Sequence, residues 1–109
     1  MSRLLILNSL VTPAFDEAVI RVRRVSLEEA LEEIAAARRN GIEPDSYIAH
    51  ESTARFLGVL PGGGYALIQP GDRAIIARIR SGMRPRGTEV SDVSADVLEL
   101  WIADYDLPS

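Results

Sequence analysis

Leu4-Leu5-Ile6-Leu7, followed at once by Asn8-Ser9, is the stretch that decides the fold. A short apolar run without polar alternation reads as a strand buried on both faces, the pattern of a central strand in a parallel or mixed sheet. Asn8-Ser9 ends it, and Thr12-Pro13 opens a loop. A strand covered on both sides implies a layer on each face, so an α/β domain is expected.

Downstream, Ala18 to Val25 alternates, with Ala18, Ile20 and Val22 on one side and Arg21 and Arg23 on the other, which reads as a half-buried strand. Ser26-Leu27-Glu28-Glu29 is a capping box, in which hydroxyl and carboxylate satisfy the free N–H groups of a helix start. Leu27, Ala30, Leu31, Ile34 and Ala35 follow as one apolar stripe at helical spacing. Glutamates come early and Arg38-Arg39 late, which suits the helix dipole, and Asn40-Gly41 is the stop. Pro44-Asp45-Ser46 reads as a turn and Tyr47-Ile48-Ala49 as a short strand. Ala54 to Leu57 is a second, shorter helix ended by Gly58. Pro61-Gly62-Gly63-Gly64 is a flexible loop and lacks the Gly-Lys-Ser/Thr of a phosphate loop. Tyr65–Ile68 and Arg73–Arg80 read as strands across the turn Gln69-Pro70-Gly71-Asp72, and Val97 to Tyr105 as the last strand. The expectation is one α/β domain spanning residues 1–109. Its mixed sheet has about five or six strands, flanked by roughly two or three helices.

Composition narrows the chemistry. At 109 residues there is room for one core. The absence of Cys removes disulfides and thiol chemistry, and a single His excludes a zinc site built on imidazoles within one chain. No apolar run approaches the roughly 18 residues of a membrane span, so no membrane association is expected. The N-terminal run is too short for a signal peptide, and a cytoplasmic protein is expected. Net charge is −4, which argues against a general nucleic-acid coat or a duplex DNA binder. All 12 basic residues are Arg. Arg73, Arg78, Arg80, Arg84 and Arg86 fall in one stretch whose only acid is Asp72, and an acidic segment from Glu89 to Asp106 follows. The plain reading is a set of ion pairs between the two. The sharper one is a site for a compact anion, because the planar guanidinium grips phosphate bidentately.

His50 is the only imidazole, so His acid–base chemistry near neutrality rests on it. It stands where a strand feeds a helix, with Ser52 and Thr53 next. Capping is the ordinary explanation for those hydroxyls; phosphate binding at a helix start is the functional one.

Ile48-Ala49-His50-Glu51-Ser52-Thr53-Ala54 resembles the "GHxST" segment of the viral anti-CRISPR ring nucleases of type III systems. Leu7-Asn8-Ser9 with Thr12-Pro13 is similar to that family's opening, Ser26 to Ala37 to its first helix, and Pro70 to Ile76 to its "GDRAL" strand. Arg84-Pro85-Arg86-Gly87 lies where the family has an "RPPEG"-like loop. The resemblance implies a mixed sheet flanked by helices, working as a two-fold homodimer in the cytoplasm, the host's if the gene is viral. It implies binding of cyclic tetra-adenylate between subunits and cleavage without metal or cofactor. The ribose 2′-hydroxyl attacks its own phosphate, a His protonates the leaving 5′-oxygen, and the products are linear di-adenylates ending in 2′,3′-cyclic phosphate. Carried over, His50 is the general acid. Asn8, Ser9, Thr12, Ser52 and Thr53 hold phosphate or ribose, and Arg78, Arg84 and Arg86 neutralise phosphate charge. The chain departs from the family at one point: Arg86 occupies the place of a loop Glu, leaving Glu89 as the nearest acid for that catalytic role. Two alternatives stay open. One is a protein that sequesters a cyclic oligoadenylate without turnover. The other is a small protein-interaction domain whose Arg residues form a salt-bridged face.

Dimerisation has its own motive in the sequence: Val97, Trp101 and Tyr105 share one side of the last strand. That is more apolar surface than a chain of this size usually leaves open.

Overall fold

The computed structural model describes residues 3–79 and 98–108. Among them the chain forms β1 (Leu4–Leu7), β2 (Val19–Val25), α1 (Leu27–Arg39), β3 (Asp45–Ser46), α2 (Glu51–Leu57), β4 (Arg73–Ile79) and β5 (Leu98–Asp106). The strands make one mixed sheet in the order β2-β5-β4-β1-β3. β1 runs parallel to β3 and β4, with Leu5 opposite Asp45 and Leu7 opposite Ile76. β5 is antiparallel to both its neighbours and sets Glu99 opposite Arg78 and Trp101 opposite both Ile76 and Arg24. This is the single α/β domain expected from the sequence.

The reading of β1 as doubly covered is correct in detail. Leu4 and Ile6 enter a core beneath the helices, with Ala30, Ile34, Ala54, Leu57, Ile75 and Ile102. Leu5 and Leu7 enter a second core on the opposite face, with Ile68, Ala74, Ile76, Ala103 and Tyr105. Helices roof the first face. Connecting segments roof part of the second, through Val11, Phe15 and Ala66. The Tyr105 hydroxyl donates to the Val11 carbonyl at 2.9 Å, and the Ala14 N–H donates to the Ile68 carbonyl at 3.0 Å. These two bonds pin the segment after β1 to the sheet.

α1 begins and ends as its sequence dictates. The Glu29 N–H donates to Ser26 Oγ, and the Ser26 N–H to the Glu29 carboxylate. Gly41 takes φ +77°, so its N–H reaches the Arg38 carbonyl and that of Ile42 the Ala37 carbonyl. Arg38 does more than face the helix dipole. It pairs with Glu43 at 2.8 Å and donates to the Gly58 carbonyl at 2.9 Å, tying the end of α1 to the end of α2. None of the helices among the described residues is long and apolar enough to cross a membrane.

Four expectations are corrected. Tyr65–Ile68 is not a strand: both edges of β4, the strand it precedes, are taken by β1 and β5. Ile68 is buried in the second core, while Tyr65 is 96% exposed. The short strand is Asp45–Ser46, two residues ahead of Tyr47–Ala49, and Ile48 turns into the first core. α2 starts at Glu51, so Ser52 and Thr53 belong to its first turn. The glycine loop is anchored: the Gly62 N–H donates to the Ile48 carbonyl at 2.8 Å, and a Cβ at Gly62 would collide with the Ser46 carbonyl oxygen.

Candidate functional site

Because β1, β3 and β4 are parallel, their carboxyl ends share one edge of the sheet. Open α/β sheets present their ligand crevices at that edge. Asn8 and Ser9 follow β1 there and are exposed. His50 lies four residues beyond β3, as the N-cap of α2. Arg78 is the penultimate residue of β4, two residues past the Ile76 that faces Leu7. Thr12 is exposed farther along the loop after β1.

His50 is half-buried, with extended backbone (φ −78°, ψ 113°), and its side chain makes no capping hydrogen bond. Capping therefore does not explain the imidazole. Ser52 and Thr53 are 2% and 3% exposed. Their burial does not fit the expectation that both hydroxyls meet a ligand.

The structure divides the Arg stretch by role. Arg73 Nε meets Asp104 Oδ1 at 2.6 Å, and another of its nitrogens meets Glu33 Oε1 at 2.6 Å. Bonding to Asp104 is the largest influence on its guanidinium and, with Glu33, raises its pKa further despite partial burial. Arg73 thus joins sheet to α1. Arg78 pairs with Glu99 at 3.0 Å yet keeps 57% of its side chain exposed. The plain reading of the stretch, ion pairs with the last strand, is correct for these two residues. Arg84, Arg86 and Glu89 lie outside the described residues.

Ser9 and Arg78 meet in one groove of about 230 Å³, lined also by Leu10, Val22, Ile76 and Trp101. His50 is not part of that lining: it caps a helix of the first-face layer, whereas the groove opens on the second face. The sequence reading missed Leu10, Val22 and Ile76 as groove residues. The signal for Val22 and Ile76 was present in the alternation of β2 and β4. Tyr105 does not contribute to an open face: it is fully buried beneath the loop it bonds. Val97 lies outside the described residues.

A larger cavity of about 520 Å³ lies at the opposite end of β4, with Arg3, Arg21, Glu33, Asp72, Arg73, Asp104 and Asp106 on its walls. Arg3–Asp72, Arg73–Glu33 and Arg73–Asp104 pairs occupy most of that charge, which marks it as a structural ion-pair network.

No family model matches the chain, and no curated protein does. Among solved structures the chain is similar to B116 of Sulfolobus turreted icosahedral virus. That match has a TM-score of 0.67 at 16% identity and covers 94% of this chain and 99% of the viral one. The two share a fold over essentially their whole lengths.

Proposed function

We propose that the chain acts as a two-fold pair that binds cyclic tetra-adenylate and opens the ring without metal, so switching off type III CRISPR signalling. The observation that carries this reading is the common edge. Three parallel strands deliver Asn8-Ser9, His50 and Arg78 to one end of the sheet, with an imidazole there that capping does not account for. At each of two scissile bonds the ribose 2′-hydroxyl loses its proton to water and attacks the adjacent phosphorus, the P–O5′ bond breaks, and His50 protonates the leaving 5′-oxygen, giving linear di-adenylates with 2′,3′-cyclic phosphate. Asn8, Ser9 and the exposed guanidinium of Arg78 take up phosphate and ribose. Ser52 and Thr53 act as buried supports of the α2 turn that carries His50. A two-fold axis supplies a second His50 and suits a ring with equivalent scissile bonds. The motif resemblance supports the substrate, and the fold likeness to a viral protein supports a viral setting. The test is incubation with cyclic tri-, tetra- and hexa-adenylate in EDTA, with products resolved by mass. Di-adenylate from the four-membered ring is expected; intact rings after prolonged incubation refute the reading.

One observation favours a second reading, a small protein-interaction domain. Arg73 and Arg78 are both engaged by acids, and Arg78 shares no groove lining with His50. Under that reading no cyclic oligoadenylate binds at all.

A further inference from the structure

The groove on the second face is floored by sheet. Ile76 and Trp101 are cross-strand partners, and Val22 stands on the outer strand β2. Ile76 is buried and Trp101 half-buried, while Leu10 and Val22 remain 54% and 43% exposed. Two guanidinium groups flank the indole. Arg78 is on the lining, and Arg24 lies 5.3 Å from the centroid of the Trp101 ring. Glu99, paired with Arg78, is the acid directly opposite on β5, so among the described residues the indole has two cations and one carboxylate beside it. On a chain of net charge −4 this is a local positive patch around an aromatic surface. At about 230 Å³ the groove is smaller than the about 300–1,000 Å³ of sites that enclose whole drug-sized ligands. It suits one planar ring whose polar remainder stays outside. Indole and guanidinium planes both stack on such rings.

We propose that this groove is a nucleobase-binding site, with Trp101 as its stacking wall and Arg78 at its rim for the attached phosphate. The proposal rests on the reading above and adds to it a base-recognition residue, Trp101, that lies in none of the motif segments. Base and phosphate fit together here because Ser9 and Arg78 border the groove and also stand at the carboxyl edge.

Trp101 is the only tryptophan, so its emission reports on the groove. The full chain is titrated with cyclic tetra-adenylate and, separately, with AMP. Both ligands change Trp101 emission saturably. Trp101→Leu weakens cyclic tetra-adenylate binding, read by calorimetry, about 5- to 150-fold, the range of a lost base stack. Trp101→Phe restores most of it. In turnover the leucine variant raises KM and leaves kcat near wild type, because a base stack is made equally in the ground and transition states. Should Trp101→Leu fail to fold in a melting experiment, the wild-type emission and the phenylalanine variant decide. If cyclic tetra-adenylate is bound and cut while emission stays fixed, the groove proposal fails and ring cleavage stands. If both ligands move the emission but no ring is cut, the groove stands and ring cleavage falls. An emission shift that follows protein concentration alone assigns the groove to a second copy and overturns the proposal. Absence of any binding overturns both.

Discussion

Replacing Asp72 by alanine probes what holds the second face closed. Asp72 is 4% exposed, and its carboxylate accepts from Arg3 at 2.6 and 3.3 Å and from the Gln69 N–H at 2.8 Å. Arg3 also donates to the Leu67 carbonyl at 2.6 Å, so one ion pair fastens the segment before β4 to the start of β1. Alanine removes the charged acceptor of the Gln69 N–H, a hydrogen bond that contributes about 1.5–3 kcal/mol. The Arg3 side chain is 41% exposed, so its pair is screened and contributes only about 0.5–1 kcal/mol. The loss of stability is then about 2–4 kcal/mol. In a domain of this size that lowers Tm by roughly 10–30 °C. Burial by itself raises the Asp72 carboxyl; the Arg3 and Gln69 hydrogen bonds outweigh it and hold the group below its ordinary value. A depressed folded pKa contributes stability that is complete above the unfolded value and is lost as pH falls through the folded one. The gap between wild type and Asp72→Ala is therefore widest at neutral pH and closes in acid. Thermal unfolding followed by circular dichroism across that range measures it. A gap at neutral pH under about 0.5 kcal/mol, or one that widens in acid, refutes the reasoning.

Gly62→Ala drives a Cβ into the Ser46 carbonyl oxygen, a backbone atom with little room to yield, and destabilises by about 1–3 kcal/mol in chemical denaturation. Gly63→Ala meets open space and stays near wild type. Tyr105→Phe removes the bond to Val11, costs about 1 kcal/mol, and speeds amide exchange in the segment after β1 that carries Asn8 and Ser9. Arg78→Ala weakens cyclic tetra-adenylate binding by about one to two decades, the loss of a charge-assisted bond to phosphate, measured by calorimetry. Arg39→Ala, whose pair with Glu32 is exposed on α1, leaves that binding unchanged; equal losses at both positions would make the attraction diffuse.

Features fixed by a few adjacent residues were legible in the sequence. Leu4–Leu7 declared a central strand because no polar residue interrupts it, and Ser26, Glu29 and Gly41 marked the limits of α1 through hydrogen bonds spanning only a few positions. What escaped depends on contacts distant in sequence. Tyr65–Ile68 has strand-like residues, but strand propensity says only that a segment fits a pleated surface, and β1 and β5 had already filled the edges of β4. Trp101 and Tyr105 share a face, as the alternation indicated, yet only Tyr105 is sealed, because the segment after β1 folds back over it. For the candidate site, His50 stood out because it is the only imidazole in the sequence, and Arg78 because it stands in a dense Arg stretch. The burial of Ser52 and Thr53 was not legible, because α2 begins three residues before its expected start and draws them into its first turn. The groove beside Trp101 needed three strands and a loop together, and no local pattern announces it.

The most direct measurement is single-turnover cleavage of cyclic tetra-adenylate in EDTA by wild type and His50→Ala, with binding followed in parallel. Removing a general acid lowers the rate by about two to four orders of magnitude and leaves affinity near wild type. An unchanged rate in His50→Ala, or cleavage that appears only when metal is restored, contradicts the account.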